Sequence, residues 1–193
     1  KGTPNHAEKV MKYYSIATGD SSAEISLLEG NSGLKVVYYN QGDAAWKSIP
    51  YSTSTIGQSG CGPTSMAICI STLSGKKITP RQTCQWAGSQ GYYVKGAGSK
   101  HDVIPGLAKK YGVKCKGVGK NKPQIIQALK TGKLVVAIMS AGHFTSGGHF
   151  IVLTGIKDGK ITVADCGSRQ RTKQTWSLDL IVNESNSLSL IHI

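Results

Sequence analysis

The sequence predicts an α+β fold, a helical half packed on an antiparallel sheet with a cleft between the two. Three observations carry that expectation. A glycine-flanked turn, Gly57-Gln58-Ser59-Gly60-Cys61-Gly62-Pro63, runs directly into the apolar series Ala67, Ile68, Ile70 and Leu73, which Gly75 stops. Two more helix starts follow, Thr79-Pro80 and Asn121-Lys122-Pro123, each a capping residue with proline in the first turn. From residue 134 the pattern turns to apolar runs, Leu134 to Met139 and Phe150 to Leu153, and then Ile161 to Ala164 beyond the turn Lys157-Asp158-Gly159-Lys160. Asp-Gly suits the φ > 0 turns of a tight hairpin, so the last two runs are expected to pair antiparallel.

Taken in order, residues 1–37 read differently from the rest. Ala7 to Tyr14 is compatible with a short helix, the Gly, Asp and Ser cluster at 19–22 breaks it, and a second broken apolar stretch reaches Val37. This segment is expected to be a linker or helical extension, or the stub of an upstream module, with the main domain at 38–184. Cys61 falls at the N-terminus of the first strong helix, because Pro63 fits the first turn without wasting an N–H. Gly60 and Gly62 beside it are read as leaving room for a substrate backbone to approach the sulfur. A helix from Thr79 ends before Gly91, and the stretch Tyr92 to His101 suits either a cleft wall or an ordinary surface loop. Val103 to Tyr111 is helix-like, Val113 to Val118 a short strand, and Asn121 to Leu129 a helix that Gly132 stops. Trp176 to Ile181 suggests a capped terminal helix, and residues 185–193 are expected to be a tail, a cloning or sequencing remnant.

Composition bounds the function classes. With 193 residues, 39% of them hydrophobic and 17% charged, one soluble domain with one good core is expected. No run is long enough to span a bilayer, and the first residues lack the apolar core of a signal peptide. Lysine and arginine outnumber the acids 23 to 10, a formal net charge of +13 that attracts anionic partners. The lysines are scattered and no zinc-finger spacing or aromatic RNA-binding signature is present, so specific nucleic-acid recognition is not expected. Cysteines stand at 61, 69, 84, 115 and 166 without a Cys-x-x-Cys or a histidine at zinc-ligand spacing, so neither a metal nor another cofactor is expected. Cys69 and Cys84 read as small buried thiols within helices, and nothing supports a disulfide between them. A monomer is expected.

The chemistry is expected around Cys61. Free backbone N–H groups and the positive end of the dipole at a helix N-terminus favour a thiolate, the nucleophilic form. A thiolate needs a base and a group that orients the base. His149 opens a continuous apolar strand and Asp165 ends the next, so the hairpin between them brings both to one end of the sheet. His143 competes as the base, but its loop is less rigid than a strand. His101 lies in polar surroundings ahead of a helix and reads as a surface histidine. Asp158 is already explained by its turn, whereas a carboxylate ending a hydrophobic strand needs a partner. Gln41 and Gln58 are both candidates to donate to an oxyanion.

Cys61-Gly-Pro-Thr-Ser-Met-Ala67, Gly147-Gly-His-Phe-Ile-Val-Leu153 and Val163-Ala-Asp165, with the opening Tyr38-Tyr-Asn-Gln-Gly-Asp-Ala-Ala-Trp46, resemble papain-like cysteine peptidases of the bacteriocin-processing-peptidase-like branch. Within that branch the likeness is greatest to phage and mobile-element cell-wall lysins of Gram-positive bacteria, and it spans roughly residues 38 to 184. The resemblance implies Cys61 as nucleophile, His149 as general base and acid, Asp165 as orienter and Gln41, ahead of Gln58, as the oxyanion donor. It implies no cofactor, an extracellular or cell-wall location, and a peptide of peptidoglycan as substrate, with the positive charge drawing the protein to the anionic wall. A protein or double-glycine leader peptide is the alternative substrate. A transglutaminase-like acyltransferase uses the same triad, and a non-catalytic wall-binding module that keeps the fold is a further alternative. The sequence departs from the family at Asp165, where Asp-Pro is common and Cys166 follows here. The run Arg169 to Lys173 is expected to be a solvated edge or a contact to the anionic wall.

Overall fold

The computed structural model describes residues 26–29 and 34–193. Strands β1 (Ser26–Glu29) and β2 (Lys35–Tyr38) form an antiparallel hairpin, and Val36 and Val37 of β2 are buried in the core. The stretch expected as a linker up to residue 37 thus contributes a core strand, because its alternation is too short to be told from a broken coil. The helix expected at Ala7 to Tyr14 lies outside the described residues. A small hairpin, β3 (Pro50–Tyr51) and β4 (Ser54–Thr55), leads into α1 (Ile56–Ser59) and, after Gly60 alone, α2 (Cys61–Ser74). Gly75 closes α2 at φ 69°, the left-handed cap that glycine adopts most readily.

Helix α3 (Pro80–Ser89) opens on a full capping box: Gln82 N–H donates to Thr79 Oγ1 while Thr79 N–H donates to Gln82 Oε1. The glycine-rich stretch that follows is the hairpin β5 (Tyr93–Val94) and β6 (Gly98–Ser99), succeeded by α4 (Val103–Tyr111), β7 (Lys114–Gly117) and the Asn121-capped α5 (Lys122–Lys130). Then come β8 (Leu134–Met139), β9 (His149–Lys157), β10 (Lys160–Ala164), the short α6 (Arg169–Thr172), β11 (Thr175–Trp176), α7 (Leu178–Glu184) and β12 (Ser185–His192). The hairpin between β9 and β10 turns at Asp158 (φ 51°) and Gly159 (φ 74°), the positive-φ pair that Asp-Gly predicts.

The main sheet is antiparallel throughout, in the order β11-β10-β9-β8-β12-β7. The expected terminal tail is therefore a sheet strand, lying between β8 and β7. Its residues alternate, with Leu188 and Leu190 buried on one face and Ile191 on the other, a period-2 signal obscured by the serines between them. One face of the sheet packs on α2 and α4, with Val136, Ile138, Phe150 and Val152 in that core, and α3 packs outside them against α2. The other face is covered by α5 and α7 through Val135, Ala137, Ile151 and Leu153. Residues on β8 and β9 are buried on both faces, which explains why these runs are unbroken apolar sequence. The mixture of helices and antiparallel sheet is the architecture the sequence predicts, with the second helical layer added.

Candidate active site

Segments far apart in the chain meet where β9 begins. Cys61 is the first residue of α2, half-buried, and its sulfur lies near enough to the His149 ring to raise that ring's pKa. His149 opens β9 opposite Met139, and its side chain is only 11% exposed. Asp165 follows the end of β10, and its Oδ1 lies 2.7 Å from His149 Nε2. With Nε2 donating to the carboxylate, Nδ1 is the ring nitrogen left to face the sulfur. The three residues that the motifs single out are thus brought together as a connected row.

The electrostatics of the row are self-consistent. Burial pulls the His149 pKa down, but the hydrogen bonds and charges of Asp165 and Cys61 outweigh it and raise the value to about 9. The imidazolium is therefore the dominant form at neutral pH. Asp165 is fully buried. Burial works against its charge, yet His149, the Arg171 guanidinium and the Gly167 N–H hold its carboxyl below the ordinary value. The Gly167 N–H donates to Oδ1 at 2.8 Å and Arg171 Nε to Oδ2 at 2.6 Å. A sulfur nucleophile beside a protonated, carboxylate-oriented imidazole is the equipment for acyl transfer.

Gln41 sits next to this row in the buried interior. Its backbone N–H donates to Cys166 O at 2.8 Å, and its side-chain Oε1 lies 3.4 Å from Cys166 Sγ. Its Nε2 donates to Gly57 O at 3.0 Å and makes a longer 3.5 Å contact to Ile56 O, which leaves one N–H weakly held. Gln58 is on the exposed side of α1 and accepts from Ser54 Oγ. His143 is directed elsewhere: its Nδ1 is 2.6 Å from Glu184 Oε1, and its backbone N–H donates to Glu184 Oε2. His101 is exposed, with its ring edge-on to Phe150 at 6.3 Å.

Gly60 and Gly62 have a different use from the one the sequence suggests. A Cβ on Gly60 would come within 2.7 Å of Ile56 O, and one on Gly62 within 3.3 Å of Ser99 and Val103. Both open positions are filled by the protein itself, so these glycines allow α1, α2 and the β6 hairpin to close together rather than admitting substrate. The basic run also departs from expectation. Arg171 reaches inward to Asp165, while Arg169 pairs with Asp43 at 2.7 Å and lies over the Tyr38 ring. A signal was present in the sequence: Ser168 caps a helical turn, accepting from the Arg171 N–H, and such a turn directly after Asp165 folds its residues back over the strand end.

Cys166 takes the place of the commoner proline. Its buried thiol lies within reach of Cys61 O at 3.5 Å, Ser65 Oγ at 3.6 Å and Phe150 O at 3.7 Å, and burial pushes its pKa well up, so it stays a neutral thiol. All five cysteines are free. Among the described residues no group of three or more His, Cys, Asp or Glu side chains is arranged to hold a metal ion.

This arrangement is that of a papain-like cysteine peptidase, and solved structures share the fold. The peptidase domain of Streptococcus ComA, a bifunctional ABC transporter of a quorum-sensing pathway, superposes with TM-score 0.53 at 15% identity, covering 69% of this chain and 91% of that one. A C39-like peptidase from Bacillus anthracis gives TM-score 0.52 at 15% identity over 89% of this chain and 98% of that one. A double glycine motif protease from an AMS/PCAT transporter, solved with its leader peptide, gives 0.50 at 18% identity over 86% and 96%. The profile of the Peptidase C39-like family matches residues 33–188, and the chain belongs to that family. No curated protein matches the sequence.

Proposed function

We propose that this cysteine peptidase hydrolyses the peptide part of peptidoglycan, with Cys61, His149 and Asp165 as its catalytic residues. The observation that carries the chemistry is the row in which the Cys61 sulfur lies beside His149 and His149 hydrogen-bonds Asp165. The Cys61 thiolate attacks an amide carbonyl, and the charge that develops on its oxygen is met by the Cys61 backbone N–H and the weakly held N–H of Gln41. His149 gives its proton to the departing amine, and the thioester remains on Cys61. The imidazole, held in orientation through Nε2 by Asp165, then takes a proton from water, which attacks the thioester and frees the acid.

The wall is favoured as target by the net charge of +13, which raises the concentration of the protein at teichoic-acid and other anionic wall surfaces. That reading carries an extracellular or cell-wall location and a monomeric enzyme of the lysin type. A second reading, cleavage of a leader peptide, is favoured by the fold shared with a protease solved on its leader peptide. Incubation with Gram-positive walls and, separately, with a peptide carrying a double-glycine site discriminates the two. Loss of wall turbidity with release of free amino groups, absent in Cys61→Ala, supports the wall peptidase; cleavage of the double-glycine peptide alone supports the second reading. Ammonia release with crosslinking identifies an acyltransferase, and wall binding without release in either protein identifies a binding module. Hydrolysis retained in Cys61→Ala refutes the nucleophile.

A further inference from the structure

The carboxylate of the row is not left with one partner. Asp165 Oδ1 accepts from His149 Nε2 and the Gly167 N–H, and Oδ2 accepts from Arg171 Nε at 2.6 Å. Asp165 is fully buried and Arg171 only 29% exposed, so this ion pair is shielded from the solvent that weakens surface pairs. Helix α6, which carries Arg171, is fixed to the same residue: Thr172 Oγ1 accepts from the Asp165 N–H at 2.9 Å. Its other side is tied down by Trp176, whose Nε1 donates to Arg171 O and whose ring packs on the buried Phe144 at 4.4 Å. The titratable and charged groups around Asp165 are His149, Arg171, the neutral thiol of Cys166, the Cys61 sulfur beyond the imidazole, and Tyr38, whose hydroxyl donates to the Asp165 backbone carbonyl.

We propose that Arg171 is a positioning residue that completes the site as a row of Cys61 sulfur, imidazolium, carboxylate and guanidinium, and keeps Asp165 turned towards His149. This rests on the peptidase reading above and extends it by one residue. Without the guanidinium the Asp165 carboxylate is a less compensated charge in the interior and takes up a proton more readily. The imidazole beside the Cys61 sulfur then loses its orienting partner first at the acid end of the pH range.

The test reads the sulfur itself and needs no peptide substrate. The rate at which iodoacetamide alkylates the native protein is followed from pH 4 to 9 in the wild type, Arg171→Met and Arg171→Lys, with the product mapped to Cys61. In Arg171→Met the acid limb of the rate is expected to move up, by at most the ~1 to 3 pH units that a neighbouring arginine shifts the aspartate it touches, and the rate at the foot of the limb to fall several-fold. Arg171→Lys restores much of the acid limb because it restores the charge. In an Asp165→Asn background, Arg171→Met is expected to move the limb no further, as residues acting through one contact are not additive. A merely structural role lowers the active fraction at every pH and leaves the limb where it was; that outcome overturns the proposal and spares the peptidase reading. A wild-type Cys61 that reacts as slowly as an ordinary thiol overturns both.

Discussion

Folding stability should fall with alkaline pH by an amount set by His149. Its folded value of about 9 lies above the ordinary 6.5, so the protonated ring is the form that folding favours. The contribution is complete below pH 6.5, declines as pH rises towards 9, and is absent above it. The difference between those two values, at about 1.4 kcal/mol per unit, amounts to about 3 kcal/mol. Buried thiols share only the alkaline end of this window. Burial raises Cys69, Cys84, Cys115 and Cys166, whose ordinary value of 9.0 places the onset of their own losses at the top of the range, and takes Tyr39 and Tyr51 from 10.0 to about 12; wild type and His149→Gln share all of these, so the difference between the two proteins reads His149. Urea unfolding at pH 6, 7, 8 and 9 measures the effect; with a slope of about 2 kcal/mol per molar the midpoint should drop by about 1.5 M in the wild type. His149→Gln should lack most of that drop, and Asp165→Asn should share much of its flatness. Equal midpoint losses in the wild type and His149→Gln would show that the ring gains no proton-dependent stabilisation from its partners, and the electrostatic account of the site would fail.

Two further outcomes follow from the geometry. Gln41→Ala should lower kcat about 100- to 1,000-fold while leaving KM nearly unchanged, the loss expected of one oxyanion donor, and Gln58→Ala should be close to wild type in the same peptide assay. Gly60→Ala sets a methyl group 2.7 Å from the Ile56 carbonyl, which backbone atoms cannot vacate cheaply, so it should lower the thermal midpoint by several degrees even though no substrate group is involved.

Much of the site was legible because its chemistry coincides with element boundaries. Cys61 stands where glycine and proline mark a helix start, His149 where a loop becomes an apolar strand, and Asp165 where the next strand ends. The hairpin turn Asp158-Gly159 fixed their common end of the sheet. What the sequence hid were contacts decided by tertiary packing. Arg171 looked like one of several exposed cations because charge alone does not tell which way a side chain turns on a helix as short as α6. The glycines at 60 and 62 have the same composition whether they face a substrate or a neighbouring helix, and only the positions of Ile56, Ser99 and Val103 decide it. Strand β12 was obscured because three serines and an asparagine dilute the alternation of Leu188, Leu190 and Ile191, and β2 because four residues are too few to show a period.

The place of β12 also constrains how the molecule is made. Strand β7, at residues 114–117, pairs among the described residues only with residues 189–192, so during synthesis it waits for that partner while more than half as many residues again leave the ribosome. The helix that bears Cys61 can form early, but the sheet beneath it closes only when β12 is added. Proteolytic competence should therefore arise abruptly with the emergence of β12, which spares the cell a half-built protease during synthesis.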